Sequence, residues 1–204
     1  MSLGRVFYNS RRMQSLSVKN LSIARGDRIL FSGLSFAVAG GEALHVQGRN
    51  GSGKTSLLET LCGLRRPEEG RIEPRPEGGD FHWIGHRNAL NAALSPRENL
   101  EFWCGLNGAD PGSAPDALAR AGLGRAADRA CGQLSTGQKR RAALARLLAQ
   151  KRGWWFLDEP LAGLDDEGAA WFAQLLSGHL QAGGAAVLSS HQPLAQVTRS
   201  LRLG

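Results

Sequence analysis

The chain has 204 residues, 42% of them hydrophobic, and a formal net charge of +7. That length suits one domain with a substantial core. No run of about 18 or more apolar residues occurs, so no membrane span is expected, and the opening MSLGRVFYNSRRMQ lacks the apolar stretch of a secretory signal.

Residues 1–14 read as an N-terminal tail, with Met13 a second candidate start, and residues 15–204 as one unit. From Leu16 to Gly48 short apolar–polar alternations broken by glycine predict three or four strands. The last, Leu44 to Gln47, runs into a glycine-rich loop. After it, KTSLLETLCGL has helical period, with Leu57, Leu58, Leu61 and Leu64 on one face. RRPEEGRIEPRPEGGD predicts loop with one edge strand, and FHWIG a strand. Residues 87–132 predict short helical pieces. Among them SPRENLEFWCGL opens with a serine cap, proline at the first helical position and glutamate three residues after the cap. A basic helix from Ser135 is expected to end near Lys151. WWFLDEP then predicts a buried strand, GAAWFAQLLSGHLQAGG a helix and AAVLSSH another strand. Strands alternating with helices indicate an α/β fold with a parallel sheet.

Cys62, Cys104 and Cys131 are odd in number and far apart, which points to single buried thiols in a reducing compartment. The arginines are scattered, with local pairs at Arg11–Arg12, Arg65–Arg66 and Arg140–Arg141, and are expected to form a solvated basic surface.

Chemistry first appears at GRNGSGKTS, which comprises Gly48, Arg49, Asn50, Gly51, Ser52, Gly53, Lys54, Thr55 and Ser56. It satisfies the phosphate-loop pattern between a predicted strand and a predicted helix. Gly51 and Gly53 let backbone N–H groups turn inward as a nest for phosphate oxygens, and the helix adds its positive end. Lys54 is placed for the β- and γ-phosphates and the Thr55 hydroxyl for Mg²⁺. About a hundred residues on, Asp158 and Glu159 close an apolar strand. Asp158 is placed to hold Mg²⁺ through water, and Glu159 to act as general base on the attacking water. His191 follows the next strand, where parallel sheets make ligand contacts. His82 and His86 share a four-residue spacing, but no third ligand accompanies them as a metal site would require.

Together these residues resemble the ATP-binding cassette (ABC) ATPases, from about Leu16 to His191. LSTGQ, Leu134 to Gln138, resembles the family's Leu-Ser-Gly-Gly-Gln signature, with Thr136 in place of one glycine. The resemblance implies a P-loop α/β core with an antiparallel β-subdomain and a small helical subdomain inserted at about residues 87–150. It implies two copies paired head to tail, so that Ser135, Thr136, Gly137 and Gln138 of one copy close over ATP held by the other. AGLD, ending at Asp165, resembles the loop that links the two sites, and SSH, ending at His191, resembles the histidine switch that contacts the γ-phosphate.

Two positions depart from the family pattern. Arg25 stands where an aromatic usually stacks on adenine, and its guanidinium also offers a planar stacking surface. His86, with Arg87 beside it, stands where glutamine is usual and offers an imidazole to Mg²⁺ or its water.

Within the family, the short length and the stretches QGRNGSGKTSLLETLCGL, IGHRNALNAALSPRENLEFW and LSSHQPL look most like the ATP-binding subunits of the bacterial cytochrome c maturation system. That likeness implies ATP and Mg²⁺ as ligands, integral membrane subunits as partners and no direct nucleic-acid partner. It places the chain peripherally at the cytoplasmic face of the inner membrane, where hydrolysis serves haem export or release of a haem-loaded chaperone. A soluble nucleic-acid- or ribosome-associated cassette, which the +7 charge favours, and a transporter subunit with another cargo stay open as alternatives.

Overall fold

In the computed structural model of the chain, residues 14–77 and 79–204 are described. The first thirteen residues of the expected tail, including the Arg11–Arg12 pair and Met13, lie outside them. Three strands precede the first helix: β1 (Leu16–Arg25), β2 (Arg28–Val38) and β3 (Ala43–Gly48). After α1 (Lys54–Leu61) come β4 (Glu69–Glu73) and β5 (Phe81–Ile84). A helical stretch follows, with α2 (Pro96–Leu106), α3 (Ala114–Arg120), α4 (Thr136–Leu144) and α5 (Arg146–Ala149). The chain ends on β6 (Trp154–Asp158), α6 (Asp166–Gln181), β7 (Ala185–Ser189) and β8 (Arg199–Leu203).

The strands form two sheets. An antiparallel sheet of three has the order β2-β1-β4, and a sheet of five has the order β5-β6-β7-β3-β8 with every pairing parallel. Helix α1 lies between them, and its buried Leu57, Leu58 and Leu61 join one core with Leu16, Val18 and Ile23 of β1 and with Val46, Phe156 and Val187 of the parallel sheet. The other face of the parallel sheet presents Trp155, Leu157, Ala186 and Leu188 to Phe172 and Leu176 of α6. Residues alternate between these two cores along β6 and β7, as a strand's two-residue period requires. The helices from α2 to α5 enclose a third core around Leu100, Cys104, Leu118 and Leu134.

Several elements differ from expectation. Helix α1 stops at Leu61 and Gly63 takes a φ of +76°, so Leu64 leaves the apolar face and is 61% exposed. The basic helix is broken at Ala145 and ends at Ala149. Helix α6 begins earlier, at Asp166, because the Asp165 side chain accepts the Gly168 N–H and caps it. Strand β8 has no counterpart in the sequence reading. The serine-capped helix is α2, whose capping box joins Ser95 and Glu98 and whose first residue is Pro96. All three cysteines are free and buried.

Candidate active site

Adjacent parallel strands deliver the candidate residues from their carboxyl ends. Strand β3 ends on the phosphate loop, β6 on Asp158, β7 on Ser189 two residues before His191, and β5 on Gly85 and His86. Such an edge is where open α/β sheets gather ligands. The cleft there, about 1030 Å³, is lined by Arg25, Lys54, Thr55, His86, Asp158, Glu159 and His191, and also by Trp83 and Arg146.

Within the loop, Asn50, Gly51, Gly53 and Ser56 line the same cleft. Gly48 and Arg49 line a second cleft of about 1130 Å³, and the Ser52 hydroxyl is buried without a hydrogen bond. Gly53 caps α1 with a left-handed φ of 101° and no side-chain cap, which leaves the first-turn N–H groups for a ligand. Lys54 folds over the loop, and its Nζ donates to the carbonyls of Gly48 (2.8 Å) and Arg49 (3.3 Å).

The acid pair divides by environment. Asp158 is 3% exposed, and both of its carboxylate oxygens accept hydroxyl protons: Oδ2 from Thr55 at 2.8 Å and Oδ1 from Ser189 at 2.7 Å. Glu159 has a φ of +52°, unusual for a residue with a side chain, and is tethered by its N–H to the Ser189 hydroxyl (3.0 Å) and carbonyl (3.2 Å). Its Oε2 accepts the His191 N–H at 3.2 Å. Its Oε1 is buried, makes no hydrogen bond, and stands 3.5 Å from Nε2 of the otherwise exposed His191 ring. The Thr55 hydroxyl and the Asp158 carboxylate form an all-oxygen donor set of the kind a hard cation such as Mg²⁺ takes.

Helix α4 starts in a different cleft, about 540 Å³, lined by Ser135, Thr136, Gly137, Gln138 and Asp165. Ser135 and Gln138 form a capping box, with Ser135 Oγ accepting the Gln138 N–H (3.2 Å) and Ser135 N–H donating to Gln138 Oε1 (3.0 Å). A Cβ on Gly137 would lie 2.9 Å from the Gly163 carbonyl, and one on Gly163 would lie 2.6 Å from the Thr136 methyl. The helix start and the Ala162–Asp165 loop therefore touch backbone to backbone. Within one chain this cleft is separate from the phosphate loop.

The sequence reading missed Arg140. The Arg140–Arg141 pair was expected at a solvated surface, but Arg140 is 2% exposed and the Arg141 side chain 13%. Arg141 reaches Asp165 (3.3 Å) and Glu167 (3.4 Å). Arg140 points inward because five backbone and side-chain acceptors surround its guanidinium there, and burial lowers its pKa to about 10. A basic pair in a basic chain carries no local signal of this. Of the other described pair, Arg66 is exposed as expected and Arg65 is half-buried against Glu59 at 3.2 Å. His82 is 1% exposed, with Nε2 against the Gln150 carbonyl (2.8 Å) and its ring stacked on Trp103, whereas His86 lies exposed on the cleft.

The ABC transporter family profile matches residues 31–162. The cytochrome c biogenesis ATP-binding export protein CcmA of Rhodopseudomonas palustris (strain HaA2) is 46% identical over 195 residues, covering 93% of this chain and 98% of that protein. Its namesake in Dechloromonas aromatica (strain RCB) is 47% identical over 203 residues, covering 93% of this chain and all of that protein (100%). Among solved structures, an ABC transporter ATP-binding protein from Pyrococcus furiosus has a TM-score of 0.81 at 22% identity, covering 93% of this chain and 98% of that one. The ATP-binding cassette MJ0796, solved as a dimer bound to ADP and Pi, also has a TM-score of 0.81 at 24% identity, covering 92% and 94%. Fold, site geometry and sequence likeness agree: the chain belongs to the ABC transporter ATP-binding family, in its cytochrome c biogenesis CcmA group.

Proposed function

We propose that this chain is the ATP-hydrolysing subunit of a membrane ABC complex in cytochrome c biogenesis, working as a pair of identical copies at the cytoplasmic face of the inner membrane. The hydrolytic part rests on one observation above all. Asp158 has both carboxylate oxygens engaged by hydroxyls, while the neighbouring Glu159 keeps a buried oxygen free of hydrogen bonds beside His191. Two adjacent carboxylates in different surroundings take different roles.

In this reading the loop N–H groups and Lys54 bind the phosphates. Thr55 and Asp158 would hold Mg²⁺, which would supply neutralisation of charge on the phosphate oxygens. Glu159 takes the proton of the water that attacks the γ-phosphorus, and the bond to the bridging β–γ oxygen breaks. His191, held against Glu159, contacts the γ-phosphate. Arg25 stacks on the base, and His86, exposed on the same cleft, would offer its imidazole to Mg²⁺ or its water. The start of α4 lies outside the chain's own nucleotide cleft. That placement supports the assignment of Ser135, Thr136, Gly137 and Gln138 to a partner copy's ATP, with Asp165 at the junction.

The cargo assignment rests on the likeness to cytochrome c biogenesis ATP-binding export proteins over 93% of the chain. The test is capture from native membranes with tagged Glu159→Gln and Mg-ATP, followed by mass spectrometry. Co-purified cytochrome c maturation membrane subunits are expected. Capture of ribosomal proteins or nucleic acid in their place refutes the membrane role. In parallel, Glu159→Gln is expected to bind ATP and to lose about 10²- to 10⁴-fold in turnover. Near-normal turnover refutes Glu159 as the base.

A further inference from the structure

The β5–β6 ladder ends at the pair Ile84↔Leu157, and the residues that matter for chemistry lie just beyond it. Past that point a side chain from α4 takes over the connection. Arg140 Nη1 donates to the Gly85 carbonyl (2.9 Å) and to Asn88 Oδ1 (3.0 Å). Nη2 donates to the carbonyls of Asp158 and Glu159 (2.9 Å each), and Nε to that of Pro160 (3.1 Å). Every acceptor is uncharged, and the nearby carboxylates of Asp158 and Glu159 favour the charged guanidinium without accepting from it. Burying a charge is unfavourable unless its hydrogen bonds are satisfied, and here the planar fork spans two segments at once.

The next helix, α5, holds the far end of the 85–89 loop. Arg146 Nη2 donates to the carbonyl of Ala89 (2.8 Å), a residue with a φ of +50°. The loop that carries His86 is thus pinned near both ends from below. Arg140 pins it to the turn that gives Glu159 its left-handed backbone. Arg140 also lies in the second turn of α4, the helix capped by Ser135.

We propose that Arg140 is a positioning residue that couples the 85–89 loop to the backbone of Glu159. A ligand or docked subunit that shifts the loop must break or drag the Gly85 and Asn88 bonds. The same guanidinium then shifts the carbonyls of Asp158 and Glu159. The effect on turnover rests on Glu159 acting as general base; the mechanical coupling itself does not.

The test perturbs the loop side and reads the acid side. In the full chain, Asn88→Ala removes one loop-side acceptor and leaves Asp158, Glu159 and Pro160 untouched. Amide hydrogen exchange is expected to accelerate both in 85–89 and in 159–162. The kcat for ATP hydrolysis is expected to fall about three- to thirtyfold with ATP affinity changed less than about twofold. Arg140→Lys, whose ammonium cannot span both segments, is expected to show the same split more strongly. A purely structural role would lower the melting temperature without separating kcat from affinity. Faster exchange confined to 85–89 in Asn88→Ala, with wild-type kcat, overturns the proposal. If Arg140→Lys fails to fold, Asn88→Ala decides alone. Should Glu159→Gln keep its turnover, the general-base reading fails while the exchange result still decides the coupling.

Discussion

Ser189 and Glu159 are joined twice, the Glu159 N–H donating to the Ser189 hydroxyl at 3.0 Å and to its carbonyl at 3.2 Å. That hydroxyl gives its own proton to Asp158 Oδ1 at 2.7 Å. One fully buried oxygen therefore joins the Asp158 carboxylate to the Glu159 backbone. Ser189→Ala leaves the buried Asp158 oxygen without a donor, at an expected loss of about 1–3 kcal/mol in stability. Turnover is expected to fall together with the tether on Glu159. Urea denaturation and steady-state ATPase assays measure the two effects, and unchanged turnover would remove Ser189 from the site.

Lys54→Ala takes the only ammonium out of the phosphate loop. A hydrogen bond from a charged group contributes about 1.5–3 kcal/mol, so ATP affinity is expected to drop about ten- to a hundredfold. Titration with a fluorescent ATP analogue checks this. In the wild type, Nζ donates to the Gly48 and Arg49 carbonyls.

Ser135→Arg places a large cation at the start of α4, where the capping box lies exposed. Binding of ATP by one chain is expected to persist, because the phosphate loop belongs to another cleft. Closure of two copies and hydrolysis are expected to be lost, along with about 1 kcal/mol of cap stability. Light scattering in the Glu159→Gln background distinguishes the states, and an active monomeric Ser135→Arg protein contradicts the shared site.

Acid sensitivity follows from the buried His82 and the half-buried His179. Burial lowers His82 to a pKa of about 3 and His179, stacked on Trp155 with centroids 3.8 Å apart, to about 4. Both are neutral when folded, whereas the unfolded chain takes up their protons once the pH drops below about 6.5. Their stabilising contribution is complete above that value and is lost as pH falls toward 4 and 3. The slope is about 1 kcal/mol per pH unit for each ring. Urea midpoints at pH 7.5 and pH 5 are expected to differ in that direction, and His179→Gln to flatten the difference.

The parts of the site legible in sequence are those whose chemistry is local. The phosphate loop and the Asp158–Glu159 pair are short strings whose spacing alone specifies a backbone cradle and a strand end. The Ser95 cap was legible for the same reason, since a capping box spans four residues. What stayed hidden depends on partners far along the chain. Arg140 finds acceptors at Gly85 and Asp158, 55 and 18 residues away, and nothing beside it in sequence marks it as buried. Strand β8 is short and exists through its pairing with β3, more than 150 residues earlier in the chain. Leu64 kept the helical period on paper, but Gly63 had already turned the chain.

The positive φ of Glu159 sets durability against activity at a single position. A left-handed conformation disfavours any residue with a Cβ, by about 1–2 kcal/mol, and this side chain also buries an oxygen that makes no hydrogen bond. Glu159→Gly relieves both burdens and discards the proposed base. Such a protein is expected to melt no earlier than the wild type while turning over no ATP. Selection for thermal robustness alone would therefore drive this position away from glutamate.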